Sequence, residues 1–144
     1  YEDLDDEMKL KIENLKVVHS AKLPYADDGF YATETEKRSM NIITSKEAKK
    51  EQIHSLVKVH PETQKKGLFI NPVYTSHIQG FNEEESFLLL SKLYEHMTQE
   101  KYIYRHKWKE NMLLMWDNRT VMHMAEGGYD GYDRLLHRIT IANS

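Results

Sequence analysis

Two short β-like runs separated by a turn-rich segment constrain the fold of this chain most. Residues 56–60 and 67–71 are rich in Leu, Val, Ile and Phe, and Pro61 opens the polar connection between them. So short a connection predicts an antiparallel hairpin, because parallel strands need a crossover of about a dozen residues or more. The pattern therefore favours an antiparallel β structure over alternating βαβ units.

The clearest helix signal follows the predicted hairpin. Asn82 and Glu85 stand three positions apart, as the N-cap and N3 residues of a capping box do, and an apolar face at helical spacing comes directly after them. We therefore predict a helix over residues 83–98.

A second helix is predicted near the N-terminus. Apolar residues recur every three or four positions between Asp3 and His19, which is the stripe of an amphipathic helix, and Asp5 or Asp3 is placed to cap it. Residues 20–50 show no sustained periodicity and are predicted to form a long loop.

The last third of the chain reads as mainly β. Aromatic or apolar runs at residues 102–108, 112–116 and 134–141 are typical of strands. With 144 residues, the chain has the size of one domain. We expect residues 1–144 to form a single α+β domain that is mainly β.

Composition excludes several classes of function. The 30% of charged residues are scattered along the chain, and no run approaches the roughly 20 apolar residues that cross a bilayer. The 20 basic and 23 acidic residues give a net charge of -3 with no basic stripe, so a nucleic-acid partner is not expected. Because there is no cysteine, any metal site must use His, Asp or Glu, and a cytoplasmic location is expected.

The densest group of chemically capable residues lies near the C-terminus. A Trp116-Asp117-Asn118-Arg119 turn is followed by His123, and Arg134 and Arg138 stand four positions apart in the last predicted strand. Taken alone, a histidine flanked by methionines is ordinarily a packed or surface side chain. Two such arginines are ordinarily solvated residues of an edge strand, so the residues by themselves leave both interpretations open.

This constellation resembles the C-terminal signature of the taurine dioxygenase family of Fe(II)- and 2-oxoglutarate-dependent oxygenases. The shared features are the W-D-N-R turn, a histidine four residues after its arginine, and the R-x-x-H-R-x-T-I segment that closes the chain. Further similar strings occur at residues 59–63, 68–75, 85–86 and 104–108. The resemblance covers nearly the whole chain and is poor only over residues 20–50.

The resemblance implies a double-stranded β-helix, or jelly-roll, core with flanking helices, in which two His and one carboxylate hold Fe(II). It places the distal iron-binding histidine on His123 and assigns no catalytic residue apart from the metal site. It assigns the 2-oxoglutarate carboxylate to Arg134, whose planar guanidinium suits such a group, and the acidic group of the prime substrate to Arg138. Tyr74 and Tyr25 are implied as walls of the substrate pocket.

Both arginines are expected on one face of the last strand. Strand side chains alternate, so residues four positions apart share a face and lie roughly 13 Å apart. That spacing allows Arg134 and Arg138 to hold two different anions.

The other two iron ligands should form an H-x-D or H-x-E pair. The string His60-Pro61-Glu62 has that form, but its proline lies in the predicted hairpin turn, and the resemblance places the true pair on a strand before the first helix. We therefore expect the chain to begin within a longer protein, to lack the N-terminal part of the fold, and to be inactive on its own. The segment 20–50 is expected to act as a lid over the active site.

The function implied is that of a 2-oxoglutarate-dependent dioxygenase. It would hydroxylate a small anionic organic substrate, such as the sulfonate taurine, an alkyl sulfate or an aryloxyalkanoate, while consuming O2 and releasing succinate and CO2. The alternative is a non-catalytic ligand-binding or structural relative that has lost the H-x-D strand. Retention of His123, Arg134 and Arg138 favours the enzyme, and the oligomeric state, a homo-oligomer included, is left open.

Overall fold

A small antiparallel sheet, a separate hairpin and flanking helices make up the ordered body of the protein. A computed structural model describes residues 1–33, 42–128, 131–133 and 135–141 of the 144-residue chain. The α-helices are α1 Asp6–Ile12, α2 Lys22–Tyr25, α3 Phe30–Thr33 and α4 Glu83–Met97, and short 3-10 helices span Lys46–Lys49 and Glu100–Tyr102. The strands are β1 Lys16–Ser20, β2 Glu51–Ser55, β3 Val57–Val59, β4 Lys66–Leu68 and β5 Thr75–Ile78.

Strand β1 is the centre of the larger sheet. It pairs antiparallel with β2 on one side and with β5 on the other, so that Val17 lies opposite both His54 and Ile78. The register shifts between Val18 and His19 on the β5 side. Val17 and Val18 point to opposite faces of the sheet, and both are buried, so both faces of β1 are covered at this point.

The predicted hairpin is confirmed. Strands β3 and β4 pair antiparallel, with Val57 opposite Leu68 and Val59 opposite Lys66. The chain reverses at Gln64, whose φ of 58° lies in the left-handed region that tight turns use. The turn of the hairpin contacts the C-terminal segment, because His60 lies against Asp117 and Glu62 pairs with Arg119.

The predicted helix over residues 83–98 is also confirmed, as α4. The Asn82 side chain accepts a hydrogen bond from the Glu85 N–H at 2.9 Å, and the Glu85 carboxylate accepts one from the Asn82 N–H at 3.2 Å. Leu93 is fully buried on its inner face. The Ser86 hydroxyl accepts the Ile78 N–H at 2.8 Å, which fixes the start of α4 to strand β5.

One apolar core connects the helices, the sheet and the hairpin. Its buried members come from α1, β1, β3, β5, α4 and the adjoining segments: Leu4, Met8, Ile12, Val17, Leu56, Val57, Ile70, Ile78, Leu89, Leu90 and Leu93. Burial of aliphatic side chains contributes roughly 1.5–3 kcal/mol each. No helix among the described residues has the length and apolar composition needed to cross a membrane.

The N-terminal helix prediction is wrong over its second half. Helix α1 begins after Asp5, whose carboxylate accepts the Met8 N–H at 2.7 Å, but it ends at Ile12, and a strand starts at Lys16. The apolar spacing continued past Ile12 by coincidence. Burial of adjacent residues on the two faces of a central strand outweighed the helical pattern.

The segment 20–50 is less irregular than predicted. Short helices α2 and α3 and the 3-10 helix Lys46–Lys49 lie within it. These helices are too short to produce a detectable apolar period. Residues 34–41 of this segment lie outside the described residues.

The prediction of a mainly β last third is wrong within the described residues. The structure assigns no strand to residues 103–128, 131–133 or 135–141. A strand requires a partner to satisfy its backbone hydrogen bonds, and an apolar run does not provide one. Many apolar side chains there are open to solvent, for example Leu113 at 85% and Ile139 at 88% exposure.

Candidate functional site

Two of the predicted pocket residues lie together. Tyr25, at the end of α2, and Tyr74, just before β5, have nearly parallel rings with centroids 6.4 Å apart and an interplanar angle of 16°. The Ser20 N–H donates to the Tyr74 carbonyl at 2.8 Å, which holds the residue beside the end of β1. Asn71 accepts the Val73 N–H at 2.8 Å and so forms the turn that precedes Tyr74.

A third predicted residue, Arg138, contributes to the electrostatic surroundings of Tyr74. Burial and a hydrogen bond with Tyr25 raise the pKa of the Tyr74 hydroxyl, and the positive charge of Arg138 acts in the opposite direction. Arg138 is itself exposed. A cation beside a pair of stacked tyrosines can hold an anion whose apolar body rests on the rings.

Sequence reasoning missed a further aromatic residue at this point. Tyr31 of α3 lies 5.3 Å from the Tyr25 ring, and its phenol also bears on the pKa of Tyr74. The resemblance was poor over residues 20–50, so no motif marked Tyr31. We call Tyr25, Tyr31 and Tyr74 the tyrosine cluster.

His123 lies in an exposed stretch and packs against Trp116. The two ring centroids are 4.9 Å apart, and the Trp116 indole N–H donates to the Asn118 side chain at 2.8 Å. The Asn118 side chain therefore forms a hydrogen bond within the turn. His123 thus packs against Trp116, whereas Arg138 acts on Tyr74 through its charge, and a pocket shared by His123 and Arg138 stays a prediction.

Asp117 organises the turn between Trp116 and His123. Its carboxylate accepts hydrogen bonds from the Arg119 backbone N–H at 2.8 Å and from the Arg119 guanidinium at 2.5–2.9 Å. The Arg119 guanidinium and then His60 hold the pKa of this carboxyl well below its usual range. Asp117 therefore holds the turn together through both its side chain and its backbone carbonyl.

His60 takes part in this network rather than in a metal site. Its ring is buried, and both nitrogens have partners: Nδ1 faces the Glu62 and Thr63 N–H groups at 3.3 and 3.1 Å, and Nε2 lies 3.1 Å from the Asp117 carboxylate. The Glu62 side chain pairs with Arg119 at 3.0 Å. The exclusion of His60 and Glu62 as an iron-binding pair agrees with these contacts.

The described residues do not by themselves fit an iron centre. Within this part of the chain, no three His, Asp or Glu side chains come together in a group that could hold a metal ion. Arg134 lies outside the described residues. The predicted strand on which Arg134 and Arg138 would share a face is not a strand over residues 135–141.

A second cluster of ionisable side chains lies beside the hairpin. The rings of His19 and His54 meet edge-on at 5.1 Å, both contact Phe69, and the Lys58 ammonium lies 3.4 Å from the centroid of the Phe69 ring. The Thr75 hydroxyl lies 3.0 Å from Nε2 of His19. Burial, followed by the charges of neighbouring groups, lowers the pKa of His19 and of His54.

This cluster predicts a loss of stability in mild acid. A histidine whose pKa is lowered in the folded state binds protons more readily in the unfolded chain, so stability falls as pH drops below about 6.5. We expect the urea midpoint of unfolding to be lower at pH 5 than at pH 7.5. Replacing His54 with Phe should reduce that difference, whereas His96→Phe on α4, outside the cluster, should leave it unchanged. An equal effect of both variants would contradict the assignment.

Comparison with known proteins identifies the family. The family described as "Taurine catabolism dioxygenase TauD, TfdA family" matches residues 1–140. The chain therefore belongs to this family.

Relatives of known name match most of the chain. It is 34% identical over 143 residues to an alkylsulfatase of Acinetobacter baylyi, covering 99% of the chain and 44% of that protein. It is 35% identical over 126 residues to an alpha-ketoglutarate-dependent 2,4-dichlorophenoxyacetate dioxygenase of a Burkholderia species, covering 85% of the chain and 38% of that protein. The chain thus spans less than half the length of these relatives.

A solved structure has a similar fold over most of this chain. The crystal structure of AAD-2 in complex with Mn(II) and N-oxalylglycine matches with a TM-score of 0.66 and 35% identity. The match covers 83% of this chain and 40% of AAD-2.

Proposed function

We propose that this chain forms the C-terminal part of a 2-oxoglutarate-dependent dioxygenase that hydroxylates a small anionic organic substrate. The observation that carries the proposal is the match of residues 1–140 to the taurine catabolism dioxygenase family, and the stacked rings of Tyr25 and Tyr74, with the charge of Arg138 acting on Tyr74, support it. The reaction would consume O2 and 2-oxoglutarate and release succinate and CO2.

The cofactors of the complete protein are proposed to be Fe(II) and 2-oxoglutarate. N-oxalylglycine, bound with Mn(II) in AAD-2, is a close structural analogue of 2-oxoglutarate, which supports this choice. His123 is the one iron ligand that we assign to this chain, and the others must come from residues beyond those described. Arg134 is proposed to pair with a 2-oxoglutarate carboxylate through two parallel hydrogen bonds.

The substrate is proposed to be an anion with an apolar body. Arg138 would bind its acidic group, and the tyrosine cluster would pack against the rest. Relatives named as an alkylsulfatase and as a 2,4-dichlorophenoxyacetate dioxygenase support an alkyl sulfate or an aryloxyalkanoate, and the family description supports a sulfonate such as taurine.

The overall architecture proposed for the complete protein is a double-stranded β-helix with flanking helices. The antiparallel sheet and the hairpin would belong to that core, and residues 1–144 would form part of one domain. The segment 20–50 is proposed to be a lid, since it carries Tyr25 and Tyr31 to the side of Tyr74.

A substrate panel tests the proposal. The protein expressed from its natural coding sequence would be incubated with Fe(II), 2-oxoglutarate and O2, together with taurine, an alkyl sulfate or an aryloxyalkanoate. We expect at least one anion to raise succinate formation about tenfold or more over the substrate-free rate, and a neutral analogue of that compound to have no effect. No succinate above the protein-free background with any of these anions would instead favour a non-catalytic relative.

A further inference from the structure

His60 links the hairpin turn to the segment that carries His123. We propose that His60 is a positioning residue, which holds the turn at residues 116–121 in place through Asp117 and thereby sets the position of His123. The inference deepens the proposed function, because the position of His123 matters to catalysis only if that residue binds iron.

The hydrogen bonds of His60 define its tautomer. Two backbone N–H groups, those of Glu62 and Thr63, point at Nδ1 at 3.3 and 3.1 Å, so Nδ1 must be the acceptor. In a neutral imidazole the other nitrogen then carries the proton. Nε2–H therefore donates to the Asp117 carboxylate across the 3.1 Å distance.

Asp117 connects His60 to the turn through further hydrogen bonds. Its carboxylate accepts the Arg119 N–H, and its backbone carbonyl accepts the Thr120 and Val121 N–H groups at 3.2 and 3.1 Å. This turn brings the chain back so that His123 packs against Trp116. A carboxylate fixed at the first residue of this turn would determine where the Trp116 and His123 rings lie.

The attachment matters because the surrounding segment has little else to hold it. Residues 103–128 contain no strand, and most of their side chains are exposed. The His60 side chain, by contrast, is only 8% exposed and comes from the end of β3, in the confirmed hairpin. Glu62 of the same turn adds a second connection through its exposed ion pair with Arg119. Hydrogen bonds between a buried donor and a charged acceptor are stronger than such surface pairs.

Two substitutions separate the two roles of His60. His60→Asn keeps an acceptor near the position of Nδ1 for the Glu62 and Thr63 N–H groups but removes the donor to Asp117. His60→Gln keeps a donor near the position of Nε2. We expect amide hydrogen exchange at Arg119, Thr120 and Val121 to quicken by about tenfold or more in His60→Asn, and to stay within about threefold of the parent in His60→Gln.

Internal and external controls make this experiment decisive. Exchange in α4 is expected to stay unchanged in both variants, and His77→Asn on β5 should alter neither region. The nuclear Overhauser contact between the Trp116 and His123 rings should weaken in His60→Asn and persist in His60→Gln.

Three outcomes would overturn the inference: equal exchange at residues 119–121 in the two variants, unchanged exchange in His60→Asn, or a loss of protection that extends equally through α4. None of these measurements uses a metal or turnover. A failure here is therefore distinguishable from a failure of the proposed function, which would appear in the substrate panel.

Discussion

Replacing Arg138 with Ala is expected to weaken binding of the anionic substrate by roughly thirtyfold or more. The positive charge of the guanidinium acts on Tyr74 of the tyrosine cluster. Arg138 is exposed in this chain, so the pair becomes desolvated only when the bound substrate covers it. Loss of one partner of a desolvated, charge-assisted pair costs on the order of 2–5 kcal/mol, and each 1.4 kcal/mol is about tenfold in affinity. Binding of 2-oxoglutarate should remain nearly intact, while its decarboxylation becomes uncoupled from substrate oxidation.

Replacing Arg134 with Ala should give the reciprocal result. The apparent affinity for 2-oxoglutarate is expected to fall by a similar factor, while substrate affinity changes little. Anaerobic titration of both ligands into both variants shows which ligand each arginine binds. Arg105→Ala serves as a control, because that exposed arginine pairs with Glu100 and should leave both affinities unchanged. Equal losses of both ligands in both variants would indicate one shared basic pocket and contradict the assignment.

The sequence predicted correctly those elements whose stabilising contacts join residues that are close together in the chain. The capping box at Asn82 and Glu85 located α4 because its two hydrogen bonds form within one turn of chain. The strand pairing of the hairpin at residues 57–68 likewise joins residues that are close in sequence. In both cases the residues that carried the prediction are the ones in contact.

Long-range competition explains the failures. Between Asp3 and His19 the apolar spacing described a helix, yet Val17 and Val18 form the central strand because β2 and β5 pair with it from distant parts of the sequence. In the described part of the last third of the chain, it is the lack of such distant partner strands that explains the failure. Its apolar runs have strand composition, but within the described residues no partner strand lies alongside them.

Some residues of the candidate site were predicted from the sequence and others were missed, for related reasons. The resemblance singled out Tyr25 and Tyr74, whose rings stack, and Arg138, whose charge acts on Tyr74, and it located His123 just after the turn that Asp117 forms. It gave no sign of Tyr31, whose segment matches the family poorly. The network of His60 with Asp117 joins residues far apart in sequence, and single-sequence reasoning has no signal for such a pair.

The proposed role of His123 is the central claim, and succinate formation by a His123→Ala variant tests it most directly. The protein from the natural coding sequence would be assayed with Fe(II), 2-oxoglutarate, O2 and the substrate found in the panel, beside a His96→Ala control on α4. Loss of groups that merely support a metal ligand costs about 10–100-fold, so loss of the ligand itself should cost about a hundredfold or more. We predict that the parent and His96→Ala form succinate at similar rates and that His123→Ala forms almost none. Succinate formation by His123→Ala at the rate of the parent would contradict the account.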